Sequence, residues 1–174
     1  MALYEFEGKT PKIGTDTYVA ESADIIGDVV IGNKCYIGPG ARIKGDYGAI
    51  RIGNETSVQE NCILHARPDE TCLVGNRVTV GHGAILHNCT VQDGAIIGMG
   101  AIVSDWAVIG TNALVAEGAV VRQHQKIPDG NVAAGTPAKI KGLVSARVKS
   151  EWPMYKSVYV DLARHYQQGL KRIQ

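Results

Sequence analysis

An aliphatic side chain returns at every sixth residue, and few folds can use that interval. Ile13, Val19, Ile25, Ile31, Ile37 and Ile43 form one unbroken run; Val91, Ile97, Val103, Ile109, Val115, Val121 and Ile127 form a second. A buried helix stripe needs apolar residues three and four apart, and a half-buried strand needs them two apart. A spacing of six suits a parallel β-helix, in which each hexad is one short strand and one corner. Three hexads close a triangular coil of about 18 residues, with each aliphatic stacked on its counterpart one coil away. Small residues after many of these positions, as in Ile31-Gly32, Ile37-Gly38 and Val115-Ala116, relieve crowding where the chain turns. Residues 13 to about 135 leave room for roughly seven coils. Composition agrees: 21 glycines and a single phenylalanine disfavour a helical bundle.

The register breaks between Ile43 and Val91. Gly45-Asp46-Tyr47-Gly48 intrudes, Ala66-Arg67-Pro68-Asp69-Glu70-Thr71 interrupts the pattern, and one hexad near Val80 is a residue short. A solenoid tolerates insertions only where the stacked faces are left alone, so such breaks mark a functional side. From about Leu143 the pattern changes again. Val158, Leu162, Tyr166, Leu170 and Ile173 fall at helical spacing, with Pro153 expected in the first turn. The division expected is a β-helix over 1–142 and a helical extension over 143–174 packed on the coil.

A formal net charge of +1 supplies no field for nucleic acid or an anionic bilayer, so neither is expected as a partner. No apolar run approaches the roughly 18 residues of a membrane span. Met-Ala-Leu-Tyr-Glu-Phe-Glu lacks the basic start and apolar stretch of a secretory signal. Cys35, Cys62, Cys72 and Cys89 have neither zinc-ribbon spacing nor disulfide density, and read as small buried residues in a reducing cytoplasm.

Three of the five histidines share a context: Ile63-Leu64-His65, Val80-Gly81-His82 and Ile85-Leu86-His87. Each is placed two residues after an inward aliphatic, which projects all three imidazoles outward at equivalent places. His65 and His82 are 17 residues apart, about one coil, and are expected to stack on one side; His82 and His87 fall on successive sides. One chain can hardly bring all three to a point, but a threefold trimer can, with three equivalent shared sites. Three neutral imidazoles leave one position of a tetrahedral ion open to water, the pattern of catalytic zinc. Iron(II) or cobalt(II) also accept such a site. His124 and His165 read as structural.

Gly45-Asp46, Ser57-Val58-Gln59-Glu60-Asn61-Cys62-Ile63-Leu64-His65, Val80-Gly81-His82-Gly83-Ala84-Ile85-Leu86-His87 and Gly135-Thr136-Pro137-Ala138-Lys139 resemble the γ-class carbonic anhydrase family. The likeness is greatest to its shorter relatives, the phenylacetate-degradation and carnitine-operon hexapeptide proteins. The resemblance implies a left-handed β-helix and a homotrimer with Zn2+ between subunits, His65 and His87 coming from one chain and His82 from the next. It also implies that Gln59 contacts the metal-bound water, with Glu60 and Asp46 behind it. The chain departs from the pattern at Lys44, where an arginine usually pairs with the aspartate; at Glu60, usually aspartate; and at Ser57, often asparagine. The acidic proton-shuttling loop is missing, with Asp69 and Glu70 its only local substitutes.

The activity expected from this resemblance is that of a carbonate-dehydratase lyase: a zinc-bound hydroxide hydrates CO2 reversibly to bicarbonate. Three alternatives stand beside it. The same hydroxide would hydrolyse an acyl-CoA thioester. The Gly-Thr-Pro-Ala-Lys segment also occurs in hexapeptide acyltransferases, whose coil groove holds coenzyme A and which use a single histidine base without metal. A metal-binding trimer scaffold without turnover is the last.

Overall fold

The computed structural model describes residues 2–173 and is the parallel β-solenoid that the six-residue interval predicts, left-handed as the resemblance implied and wound in about seven turns. Most strands are two residues long, as expected of hexads that spend the rest of their length on a corner. The inward side chains form three columns. On one face Val19, Ile37, Val58, Val80, Ile97, Val115 and Ala133 follow one another in register, one per coil. On the second, Ile25, Ile43, Leu64, Leu86, Val103 and Val121 do the same. Ile13, Ile31, Ile52, Val74, Val91, Ile109 and Ile127 fill the third. Nearly all are wholly shielded from solvent. Each such aliphatic contributes about 1.5–3 kcal/mol by leaving water.

One corner is held by a ladder of short polar side chains. Oδ1 of Asn33, Asn54, Asn76 and Asp93 accepts the backbone N–H of Thr15, Asn33, Asn54 and Asn76 at 2.8, 2.8, 2.9 and 2.7 Å. Each bond ties a coil to its neighbour where the turning backbone would otherwise leave a donor unmet. All four cysteines are free and buried, as their spacing suggested.

A single helix, Ala146–Gly169, follows the solenoid. Ser145 caps it, its Oγ accepting the Val148 N–H at 3.2 Å. Pro153 therefore lies inside the helix and not in its first turn; the capping serine, not the proline, sets the start. The inner face also differs from the expected stripe. Tyr159, Leu162 and Tyr166 pack on the core beside buried Lys156 and Ala163, whereas Val158, Leu170 and Ile173 are exposed. The solenoid chooses this face through aromatics of its own. Tyr166 meets Tyr18 at 5.1 Å and Tyr159 meets Tyr36 at 5.3 Å, both edge to face. Lys156 Nζ donates to the carbonyls of Arg77 and Gly94 at a coil corner, a role that hydrophobic patterning does not reveal. Among the described residues no helix is long and apolar enough to cross a membrane.

Candidate functional site

The glycine-rich interruption after Ile43 delivers a carboxylate to a histidine. Strand Arg42–Ile52 pairs with Asp24–Ile31, but the pairing jumps from Gly27–Gly45 to Val29–Ile50, so the intervening residues bulge out of the ladder. Gly27 has φ +74°, and a Cβ there would stand 2.4 Å from the Gly45 carbonyl oxygen; only glycine fits. From the bulge, Asp46 Oδ1 accepts from His65 Nε2 at 2.9 Å, and Oδ2 pairs with Lys44 Nζ at 2.9 Å. Burial alone pushes the Asp46 carboxyl up, but the bonds from Lys44 and His65 outweigh it and hold the pKa at about 2.

His65 and His87 are cross-strand partners on neighbouring coils, with Nδ1 of His65 3.2 Å from Nε2 of His87. Nδ1 of His87 lies 2.6 Å from Asp105 Oδ1. Arg67, whose Nε is 3.0 Å from the same oxygen, leads in holding the Asp105 pKa at about 2, with His87 adding to it. Sequence reading missed Asp105 and Arg67. A signal existed for the first, since Asp105 stands 18 residues after His87, one coil further on. In the tautomers that satisfy both ionised carboxylates, each takes the outer N–H of one imidazole. The inner nitrogens then face each other as lone pairs unless a proton or a cation lies between them.

His82 lies apart from this pair, as expected of successive sides, but the three histidines are not equivalent in phase. The inward residues beside His65 and His87 are Leu64 and Leu86, one position earlier, whereas Val80 precedes His82 by two. The expected stacking of His65 on His82 also fails. The inserted turn at 66–70 lengthens that coil, so the register partner of His65 is His87, 22 residues on. His82 occupies another corner, its Nδ1 in ion-pair contact with Glu60 Oε2. That oxygen is sealed from solvent and has no aligned hydrogen bond. Glu60 Oε1 accepts from the Tyr36 hydroxyl at 2.8 Å. Burial, and then Glu60, push the Tyr36 phenol well above its ordinary range, so it stays a donor.

The remaining candidates divide between wall and scaffold. Gln59 is buried and, with His82, lines a cavity of about 210 Å3 roofed by Trp152, Tyr155 and Tyr159 of the helix. Ser57 is buried in the ladder between Tyr36 and Thr79. Glu70 accepts from Asn88 Nδ2 and, at 2.8 Å, from Trp106 Nε1, which makes it a brace of the inserted turn. Asp69 is exposed at φ +59° in that turn. Among the described residues no group of three or more histidine, cysteine, aspartate or glutamate side chains is gathered within the chain to hold a metal ion.

Comparison with known proteins places these features in a family. The model for "Bacterial transferase hexapeptide (six repeats)" matches residues 10–45 and 88–123. A Bacillus cereus protein described as a "putative acetyltransferase" superposes with TM-score 0.93 and 35% identity, over 95% of this chain and 96% of that one. A hexapeptide transferase family protein from Anaplasma phagocytophilum gives TM-score 0.91 and 32% identity, over 95% and 98%. Carnitine operon protein CaiE of Escherichia coli O157:H7 is 40% identical over 103 residues, 59% of this chain and 53% of the relative. The chain thus spans about half the length of the curated relatives it matches. These likenesses overturn the expectation of a zinc carbonic anhydrase and lyase. The similar solved proteins carry transferase descriptions. The likeness to carnitine-operon proteins was legible in the motifs; the activity inferred from their histidines was not. The chain belongs to the hexapeptide-repeat transferase family.

Proposed function

We propose that the protein transfers an acyl group from a thioester of the coenzyme A type to a small nucleophilic acceptor, with His82 as general base. The observation that carries this reading is that Glu60, held by the Tyr36 hydroxyl, lies in contact with Nδ1 of His82 beside the cavity. Glu60 engages Nδ1, which leaves Nε2 as the ring nitrogen for a substrate. Nε2 takes the proton of the acceptor as its oxygen or nitrogen attacks the thioester carbonyl. The carbon–sulfur bond then breaks, and the imidazolium returns the proton to the thiolate. Glu60 stabilises the imidazolium, and the Tyr36 hydroxyl fixes Glu60. A positioned base of this kind contributes about 10²–10⁴ in rate. The descriptions of the Bacillus and Anaplasma relatives support the reaction class. The test is thiol release from acetyl-CoA with a panel of amines and alcohols. Acceptor-dependent release supports the reading, release with water alone makes the protein a hydrolase, and none refutes it.

A rival reading, exclusive of the first because it commits the same His82, rests on the 3.2 Å approach of His65 Nδ1 and His87 Nε2: a divalent cation shared across a homotrimer and completed by His82 of the partner subunit. Asp46 and Asp105 would orient the two imidazoles from behind, as carboxylates behind metal-bound histidines do. Elemental analysis with a sizing measurement tests it, one metal per chain in a trimer being the expected result. The four free, buried thiols support a reducing, cytoplasmic setting.

A further inference from the structure

We propose that the cavity beside His82 is the acceptor subsite and that it selects an acceptor carrying an alkylated ammonium group. The inference rests on the acyl-transfer reading and names the substrate class of that site. Trp152, Tyr155 and Tyr159, at helical spacing, bring three aromatic rings to one side of a cavity of about 210 Å3. Trp152 and Tyr155 stand edge to face at 5.6 Å and 62°, and so present π surface in two planes. Met99 adds a polarisable wall, and Glu117 lines the same cavity with an exposed carboxylate. No lysine or arginine lines it, and the Glu60 carboxylate lies directly behind His82.

Rings in two planes with one lining carboxylate, Glu117, and no lysine or arginine favour positive charge over anions. An alkylated ammonium carries its charge on an apolar surface, which suits aromatic faces better than water. A phosphate-rich thioester donor is repelled from this lining, so the cavity serves the acceptor and not the donor's phosphates. A volume of about 210 Å3 holds a headgroup and a short tether, not a long chain. A fully alkylated nitrogen has no lone pair to acylate, so the nucleophile is a hydroxyl on the tether. His82 Nε2 accepts the hydroxyl proton, the oxygen bonds to the acyl carbon, the carbon–sulfur bond breaks, and the thiolate leaves as the thiol with that proton. The products are an O-acyl ester and free thiol.

Choline serves as the probe, compared by calorimetry with its uncharged isostere, in which carbon replaces nitrogen. The full chain is expected to bind choline about tenfold or more tightly than the isostere, the size of a desolvated cation–π contact. Glu117→Gln, at an exposed position, is expected to weaken choline severalfold and leave the isostere unchanged. Trp152→Leu, with its fold checked by circular dichroism, is expected to abolish the discrimination. Equal binding of the two probes, preference for the isostere, or no choline binding overturns the proposal. Thiol release from acetyl-CoA with other alcohols and amines reads the acyl-transfer function separately. Discrimination without thiol release therefore refutes the base and leaves the cavity's selectivity standing, and thiol release without discrimination does the reverse.

Discussion

Ile63 and Leu64 are adjacent aliphatics just before a histidine, and only one can face the core. The structure makes the choice: Leu64 is fully buried and stacks between Ile43 and Leu86, whereas Ile63 is 41% exposed. Leu64→Ala removes three carbons' worth of burial, about 2.4 kcal/mol at roughly 0.8 kcal/mol per group. It also opens a void between two coils that are hydrogen-bonded to their neighbours and cannot collapse far. Adding that cavity cost brings the expected loss to about 3–4 kcal/mol. For a chain of this size the thermal midpoint should fall by about 6–16 °C. Ile63→Ala loses only part of an already wet side chain, and is expected to cost about 1 kcal/mol or less. Urea unfolding at one fixed protein concentration, followed by circular dichroism, measures both; fixing the concentration holds the mass-action contribution of any self-association constant. Equal losses, or a larger loss for Ile63→Ala, would refute the inward assignment of Leu64. The phase distinction between His65 and His82 would fall with it.

Other consequences are as sharp. Glu60→Gln should lower kcat about 10–100-fold with little change in KM, because an amide cannot both accept from Tyr36 and stabilise a positive His82; steady-state thiol release checks it. Asp105 sits at about 2 in the folded protein against an ordinary 3.8, a lowered carboxylate, so its stabilisation is present above about pH 4 and is lost as pH falls towards 2. Asp105→Asn should flatten that acid limb in a series of urea titrations, and an unchanged limb would assign it to other groups. Gly27→Ala should cost about 1–2 kcal/mol from its left-handed backbone alone, before the clash with Gly45. Thermal unfolding measures that loss, and a neutral result would show that the bulge presenting Asp46 is softer than its geometry implies.

The solenoid was legible because one physical need, stacking aliphatics on three faces, writes itself into every sixth residue. Legibility ended where spacing stopped reporting direction. Near His65 two aliphatics stand in tandem, and choosing the wrong one as the inward residue made His65, His82 and His87 appear equivalent. The inserted turn at 66–70 then hid the fact that one coil separates His65 from His87. Asp105 escaped because a lone aspartate has no local signature; it acquires meaning only through the coil pitch that sets it beside His87. The helix face was misread at Val158, Leu170 and Ile173 for a related reason. Its inner side is chosen by Tyr18 and Tyr36 on the solenoid and by carbonyls that need Lys156, none of which the helix's own periodicity records.

The most direct measurement compares wild type with His82→Ala in thiol release from acetyl-CoA under saturating acceptor. If His82 is the base, the acceptor-dependent rate falls by about 10²–10⁴ in a variant shown by circular dichroism to be folded. A variant that turns over at the wild-type rate would contradict the assignment of His82 and the mechanism built on it.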